Sequence, residues 1–186
     1  GDLYVGSLTI IQSIMQMIVM PTQGITQGTQ PIMSYNYGAG NYARVRRTFQ
    51  RLLIVALTAT CSAFLIVVLI PGPLARIFTP QEDTIRLVSQ VMPIFFGGIW
   101  AFGAQLACQS TFMALGQART SLFLALLRKV ILLVPLALLL PRLTGNVLGI
   151  FIAEPIADIL ASTTTLTLFL HKRKALLPVS SGEKPV

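Results

Sequence analysis

Residues 52–70 read LLIVALTATCSAFLIVVLI, nineteen positions without a charge. At 1.5 Å of rise per residue, a helix of that length crosses the roughly 30 Å apolar core of a bilayer. Pro71-Gly72-Pro73 then ends the run, since proline removes a donor and clashes with the preceding turn. Four other stretches are long or apolar enough to span: residues 3–37, 85–115, 119–140 and 146–170. The 186 residues are 54% hydrophobic and 11% charged, with mean hydropathy +0.74. Soluble domains carry about 25% charged residues. We therefore expect an all-α membrane protein with five transmembrane helices embedded in the lipid bilayer.

Loop charge sets the expected orientation. Fourteen Lys and Arg against six Asp and Glu leave a formal charge of +8. Such an excess can mark nucleic-acid binding, but here the cations sit between apolar runs, so no nucleic-acid partner is expected. Arg44, Arg46, Arg47 and Arg51 follow the first segment, Arg119 precedes the fourth, and Lys172, Arg173 and Lys174 follow the fifth. The other two loops hold Arg76 and Arg86 against Glu82 and Asp83, and a single Arg142. This alternation places the N terminus outside and the C terminus in the cytoplasm. Residues 175–186 are expected to be a disordered cytoplasmic tail. The chain opens on Gly1, and residues 1–6 show no signal-peptide pattern. That opening, with an odd number of spans, points to a fragment or a processed chain.

Within the first segment, Pro21 and Gly24 are expected to kink the helix, and Gly28 and Pro31 to interrupt its lower end. Gly24, Gly28 and Gly38 suit close helix approach or positive φ. Asn36-Tyr37-Gly38 is expected to turn at the membrane surface, with Tyr37 at headgroup level. With Gln30, these residues read as an architectural elbow, although Gln27, Gln30 or Asn36 facing a cavity is an alternative.

Intramembrane ionisable groups are the first candidates for function, because burying charge in lipid is costly. Glu154 and Asp158 are the only such acids. Four residues apart, they share one helix face across Pro155, an arrangement that suits a proton carrier or a cation site. Alternatively, Glu154 lies near the headgroups, or one acid simply pairs with Arg128 or Lys129. Those two cations either snorkel to the cytoplasmic side, face an aqueous cavity, or pair with the acids. Gln12 and Gln16, and Gln105 and Gln109, form two i, i+4 amide pairs. They either line a solvated cavity or join helices by hydrogen bonds. Met15, Met17, Met20, Phe95, Phe96 and Trp100 supply adaptable apolar surface for a site, core or lipid. Thr163, Thr164, Thr165 and Thr167 read as helix packing or backbone hydrogen bonding.

No enzyme is indicated. One histidine, His171, offers neither a Ser-His-Asp set nor a zinc pair, and no Gly-rich loop ends in Gly-Lys-Ser/Thr. Cys61 and Cys108 read as buried thiols, and neither a metal site nor a cofactor is expected.

Residues 24–47, GITQGTQPIMSYNYGAGNYARVRR, carry the most specific pattern. They resemble the end of the second helix of a half, with its following loop, in the multidrug and toxic compound extrusion (MATE) family. Within them, QGTQPIMSYNYGAG looks like the bacterial multidrug exporters of that family. GPLARIFT at 72–79, STFMALGQART at 110–120 and GIFIAEPIADIL at 149–160 agree with it, so the resemblance covers residues 6–174.

The resemblance implies a twelve-helix transporter in two six-helix halves, with this chain supplying helices eight to twelve of the C-terminal half. It implies a bacterial inner-membrane antiporter that exports amphipathic, often cationic compounds in exchange for H+ or Na+. Its partner is the missing N-terminal half. The acids that family members use on the first and seventh helices fall outside this chain, and residues 88–115, matching the tenth, contain no acid. No family role passes to Glu154 or Asp158. A polyprenyl-linked sugar flippase of the same superfamily is the alternative, favoured if Arg128 and Lys129 face inward. A cavity walled by Gln16, Gln105, Asp158 and methionines favours drug export. A third reading is an inactive structural remnant of a truncated gene.

Overall fold

The computed structural model describes residues 2–145 and 148–178. Their regular structure is helical throughout. The first rod is α1 (Asp2–Gly38), and a tight turn leads to α2 (Tyr42–Leu69). After the short α3 (Pro71–Arg76), α4 (Glu82–Phe95) continues through a 3-10 turn at Phe96–Gly98 into α5 (Ile99–Ala114). Next, α6 (Ala118–Leu126) widens into a π-helical stretch, Leu127–Leu133, and resumes as α7 (Val134–Thr144). The last rod is α8 (Gly149–Leu176). Among the described residues, five helical rods are long and apolar enough to cross a membrane.

Several boundaries differ from those read in the sequence. α2 begins at Tyr42, ten residues before the apolar run, because Val45 on this basic turn is fully buried and anchors it. α1 is not interrupted: it passes through both Pro21 and Pro31. Each proline costs only one backbone bond, and in an apolar medium the remaining bonds hold the helix together. Thr26 and Thr29 also donate to the carbonyls of Gln23 (2.8 Å) and Thr26 (2.9 Å). The turn at the base of α1 falls after Gly38, and Gly40 takes the left-handed conformation (φ +74°). Asn36 remains helical, donating to the Ile32 carbonyl at 2.8 Å. α8 continues to Leu176, and Leu177 is buried against the cluster around Met33 and Val45, so residues 175–177 are not a loose tail. Residues 179–186 of that expected tail, and Asn146 at the expected start of the fifth span, lie outside the described residues.

α4 and α5 form the central rod, packed against α1, α2 and α8. Small residues explain its place: Ala101, Gly103, Ala104, Ala107, Cys108 and Ser110 are all buried there. Without a strong solvent-driven force between helices in lipid, such side chains permit the close approach that gives packing energy. At Gly103 an added Cβ would overlap the Thr60 hydroxyl and come within 2.8 Å of the Ala56 carbonyl oxygen. At Gly98 it would meet the Cβ of Asp158 and the backbone of Pro155 at 2.8 Å. The elbow glycines behave otherwise: nothing lies within 4 Å of a Cβ added at Gly24, Gly28 or Gly38, and none has positive φ. They stand on a side of α1 that this chain leaves uncovered. Of the cysteines, only Cys108 is buried, and Cys61 is exposed on α2.

Gly103→Ala should therefore destabilise the bundle by about 1–3 kcal/mol through overpacking, whereas Gly24→Ala should stay within about 0.5 kcal/mol. Thermal unfolding in detergent separates the two. Equal midpoints would show that the crossing of α2 and α5 is not close-packed at Gly103.

Candidate functional site

A cavity of about 420 Å³ opens beside α1, α4, α5, the π-helical stretch and α8. Its wall on α1 is polar and soft, formed by Gln12, Gln16, Gln23, Met15, Met20 and Val19. Phe95 and Phe102 contribute aromatic surface, and Arg128, Lys129 and Glu154 supply charge. The i, i+4 spacing of Gln12 and Gln16 thus puts both amides on the cavity, with Gln23 two turns further along.

Behind this wall lies a buried ionic cluster. Arg128 donates from Nε to Asp158 Oδ1 at 2.6 Å and from Nη2 to Glu154 Oε1 at 2.9 Å. The three side chains are each less than 10% exposed. The guanidinium carbon also lies 4.2 Å from the centroid of the Phe102 ring, a cation–π contact. Lys129 is different: it is 58% exposed, and its ammonium stands 3.7 Å from the same Glu154 oxygen. Of the alternatives open in the sequence, Arg128 takes the pairing with α8, and both cations border the cavity. Arg128, buried in its pairing, does not snorkel.

Three local features produce the cluster. The four-residue spacing of Glu154 and Asp158 stacks two acceptors on one face of α8. Gly98 allows α8 to approach within contact of the 3-10 turn. The π-helical stretch adds about one residue to the turn that carries Arg128 and Lys129 and so shifts the direction in which both side chains leave the rod. The sequence carries no simple signal for that stretch.

The remaining candidates are dispersed. Gln105 is 1% exposed within the packed face of α5, and its Oε1 has no partner among the described residues. Gln109 donates to the Ser121 carbonyl at 3.4 Å, joining α5 to α6. Asp158 lies behind the wall instead of on it. Gln30 reaches the Met113 sulfur at 3.9 Å, and Ser34 donates to the Ala114 carbonyl at 2.9 Å, tying the base of α1 to the end of α5. Tyr37 packs edge-on against Tyr42 with centroids 5.7 Å apart. Thr163, Thr164, Thr165 and Thr167 each donate to the carbonyl four residues earlier. Met15, Met20 and Phe95 line the cavity, Phe96 is core, and Met17 and Trp100 are exposed.

The structure is thus a multi-pass helical bundle with a polar, charge-lined cavity. The MatE family model matches residues 1–139, and the chain belongs to this family of transporters. Among solved structures it is similar to the MATE multidrug transporter DinF-BH, at 35% identity and a TM-score of 0.84, over 96% of this chain and 40% of that one. It shares its fold with a multidrug resistance MATE family transporter of the MOP superfamily, at 17% identity. The TM-score is 0.85 to the inward-facing form, over 94% of this chain and 41% of that one. To the outward-facing form it is 0.87, over 95% and 40%. The chain thus spans about 40% of the length of the transporters it matches. Comparison with curated proteins gives no match.

Arg128→Met leaves the buried Asp158 without its counter-charge and Glu154 with only the half-exposed Lys129, and should cost about 3–5 kcal/mol. Adding Glu154→Gln and Asp158→Asn to the same variant should recover most of that loss. Unfolding midpoints in detergent measure both, and a single variant as stable as the parent would mean the cluster does not hold the helices together.

Proposed function

We propose that this chain forms the C-terminal half of a secondary multidrug antiporter, working with an N-terminal half in a bacterial inner membrane. In this reading its N terminus faces outside and its C terminus the cytoplasm. The cavity carries the proposal: amides, methionines and phenylalanines give an amphipathic molecule adaptable apolar contact and neutral hydrogen bonds together. Gln12, Gln16 and Gln23 hold polar groups of the substrate, while Met15, Met20 and Phe95 cover its apolar body. The uncovered side of α1, with Gly24 and Gly28, is where the other half packs. Similar agreement with inward- and outward-facing relatives supports a half that rocks as one body around a central site. The coupling ion, H+ or Na+, is cargo, and the principal acid that takes it lies in the other half.

A second reading has one specific observation behind it. The Lys129 ammonium is exposed in the cavity beside Arg128, the feature that favours a flippase with a phosphate-bearing substrate. Glu154 and Asp158 offset that charge, and the amide and methionine wall favours drug export. Gln105 and Asp158, also expected in that wall, do not add to it.

The test is transport by both halves together, in a host lacking its own efflux pumps. Accumulation of a fluorescent amphipathic cation should fall. Gln16→Ala should weaken the apparent KM about fivefold, as expected for one hydrogen bond worth about 1 kcal/mol. Unchanged accumulation, with both halves present in the membrane, would sink the efflux reading. Translocation of a polyprenyl-linked sugar, abolished in Lys129→Gln, would establish the second. Failure of this chain to assemble with any six-helix half would leave it a structural remnant.

A further inference from the structure

α5 and α8 run side by side in the same direction, and two contacts fix their register. A Cβ added at Gly98, at the head of α5, would come within 2.8 Å of the Pro155 carbonyl oxygen. Fourteen residues further along each chain segment, Phe112 and Phe169 pack edge to face with centroids 5.4 Å apart. Seven residues return a helix to nearly the same face. The midpoints of the two intervals, Gln105 and Ser162, therefore stand across the seam from one another. Each is 1% exposed. Yet Gln105 Oε1 and Ser162 Oγ have no hydrogen-bond partner among the described residues, each other included. The ordinary outcome for a hydroxyl in this helix is shown by Thr165, which donates to the Ala161 carbonyl at 2.7 Å. Ser162 does not turn back in that way. Its neighbours in the seam are small: Ala101 and Cys108 lie one turn either side of Gln105, and Ala161 adjoins Ser162, all buried.

A buried polar atom left bare costs about as much as a lost hydrogen bond, and here two face one gap. Whatever joins them has to be small, donate to an amide oxygen and pair with a hydroxyl. We propose that a single internal water is bound between α5 and α8, donating to Gln105 Oε1 and accepting from the Ser162 hydroxyl. A cation suits the same oxygens less well, because Arg128, paired with Asp158 one turn from Ser162, sets a positive charge nearby. Phe102 and Glu154, on these same two helices, line the main cavity. The bridge thus fixes the register of two of its walls.

Unfolding midpoints of the full chain in detergent, over a double-mutant cycle, test the bridge. Gln105→Met and Ser162→Ala should each lower the midpoint by about 2–4 °C, since each strands the remaining partner. The double variant should fall no further than either one, because no polar side chain is then left unpaired. Single variants that raise the midpoint would show bare atoms with nothing between them and overturn the proposal. Strictly additive losses would overturn it as well. Solid-state NMR of the chain in lipid identifies the bridging species. Magnetisation should pass from water to the Gln105 side-chain amide, and Ser162→Ala should remove that transfer while leaving it intact at Gln12 in the cavity. A coupled cycle without the transfer would mean that the two side chains bond directly, with no water. A midpoint that rises with sodium concentration in the parent, but not in Ser162→Ala, would make the gap a cation site instead.

Discussion

Arg128 lies in an apolar interior where its charge is tolerable only against Glu154 and Asp158, and the relative placement of three helical rods follows from that pairing. The two acids project from α8 on one face, so the guanidinium has to reach them nearly side-on, through Nε and Nη2. That requires α8 to stand close to the 3-10 turn at Gly98, where any side chain would collide with Pro155 and Asp158. It also requires the helix carrying Arg128 to turn that residue inward, and Arg128 sits within the π-helical stretch, where the helical phase shifts. Removing the arginine strands Asp158, whereas replacing all three charges by neutral groups relaxes the demand.

The cavity inherits its character from this arrangement. With its guanidinium engaged by both acids, Arg128 presents little free charge to the wall, and Lys129 is left as the accessible cation. Against it stands a wall of uncharged amides and flexible methionines on α1, a helix covered by this chain on one side only. In the proposed reading, a site of that composition binds through surface and neutral hydrogen bonds and accommodates molecules that differ in detail.

The number of spans was readable because each apolar run is long and bounded by charge or proline, and residues 24–47 carried the family. The start of α2 was not, because residues 42–51 mix arginines with a few apolar positions, and only burial of Val45 shows them to be helix. Pro31 misled because a breaker learned from water is tolerated where the backbone has no other partner. The amide pairs show the limit of periodicity. Gln12 with Gln16 and Gln105 with Gln109 share the same spacing, yet the first pair reaches a cavity and Gln105 is buried. Spacing identifies a common face of one helix, while its surroundings depend on neighbours elsewhere in the chain. For the same reason the sequence left three fates open for Arg128.

The π-helical stretch has a consequence for comparing this chain with its relatives. Seven residues wound with five-residue hydrogen-bond closures hold about one residue more than the same length of α-helix needs. α6 and α7 are therefore out of phase, and a lipid-facing stripe followed along one slides off the other. A relative that dispenses with the buried arginine has no use for the extra residue and can lose it without moving either helix end. An alignment through this rod should then open a single-residue gap between positions 127 and 133, inside a membrane span where gaps are ordinarily disallowed.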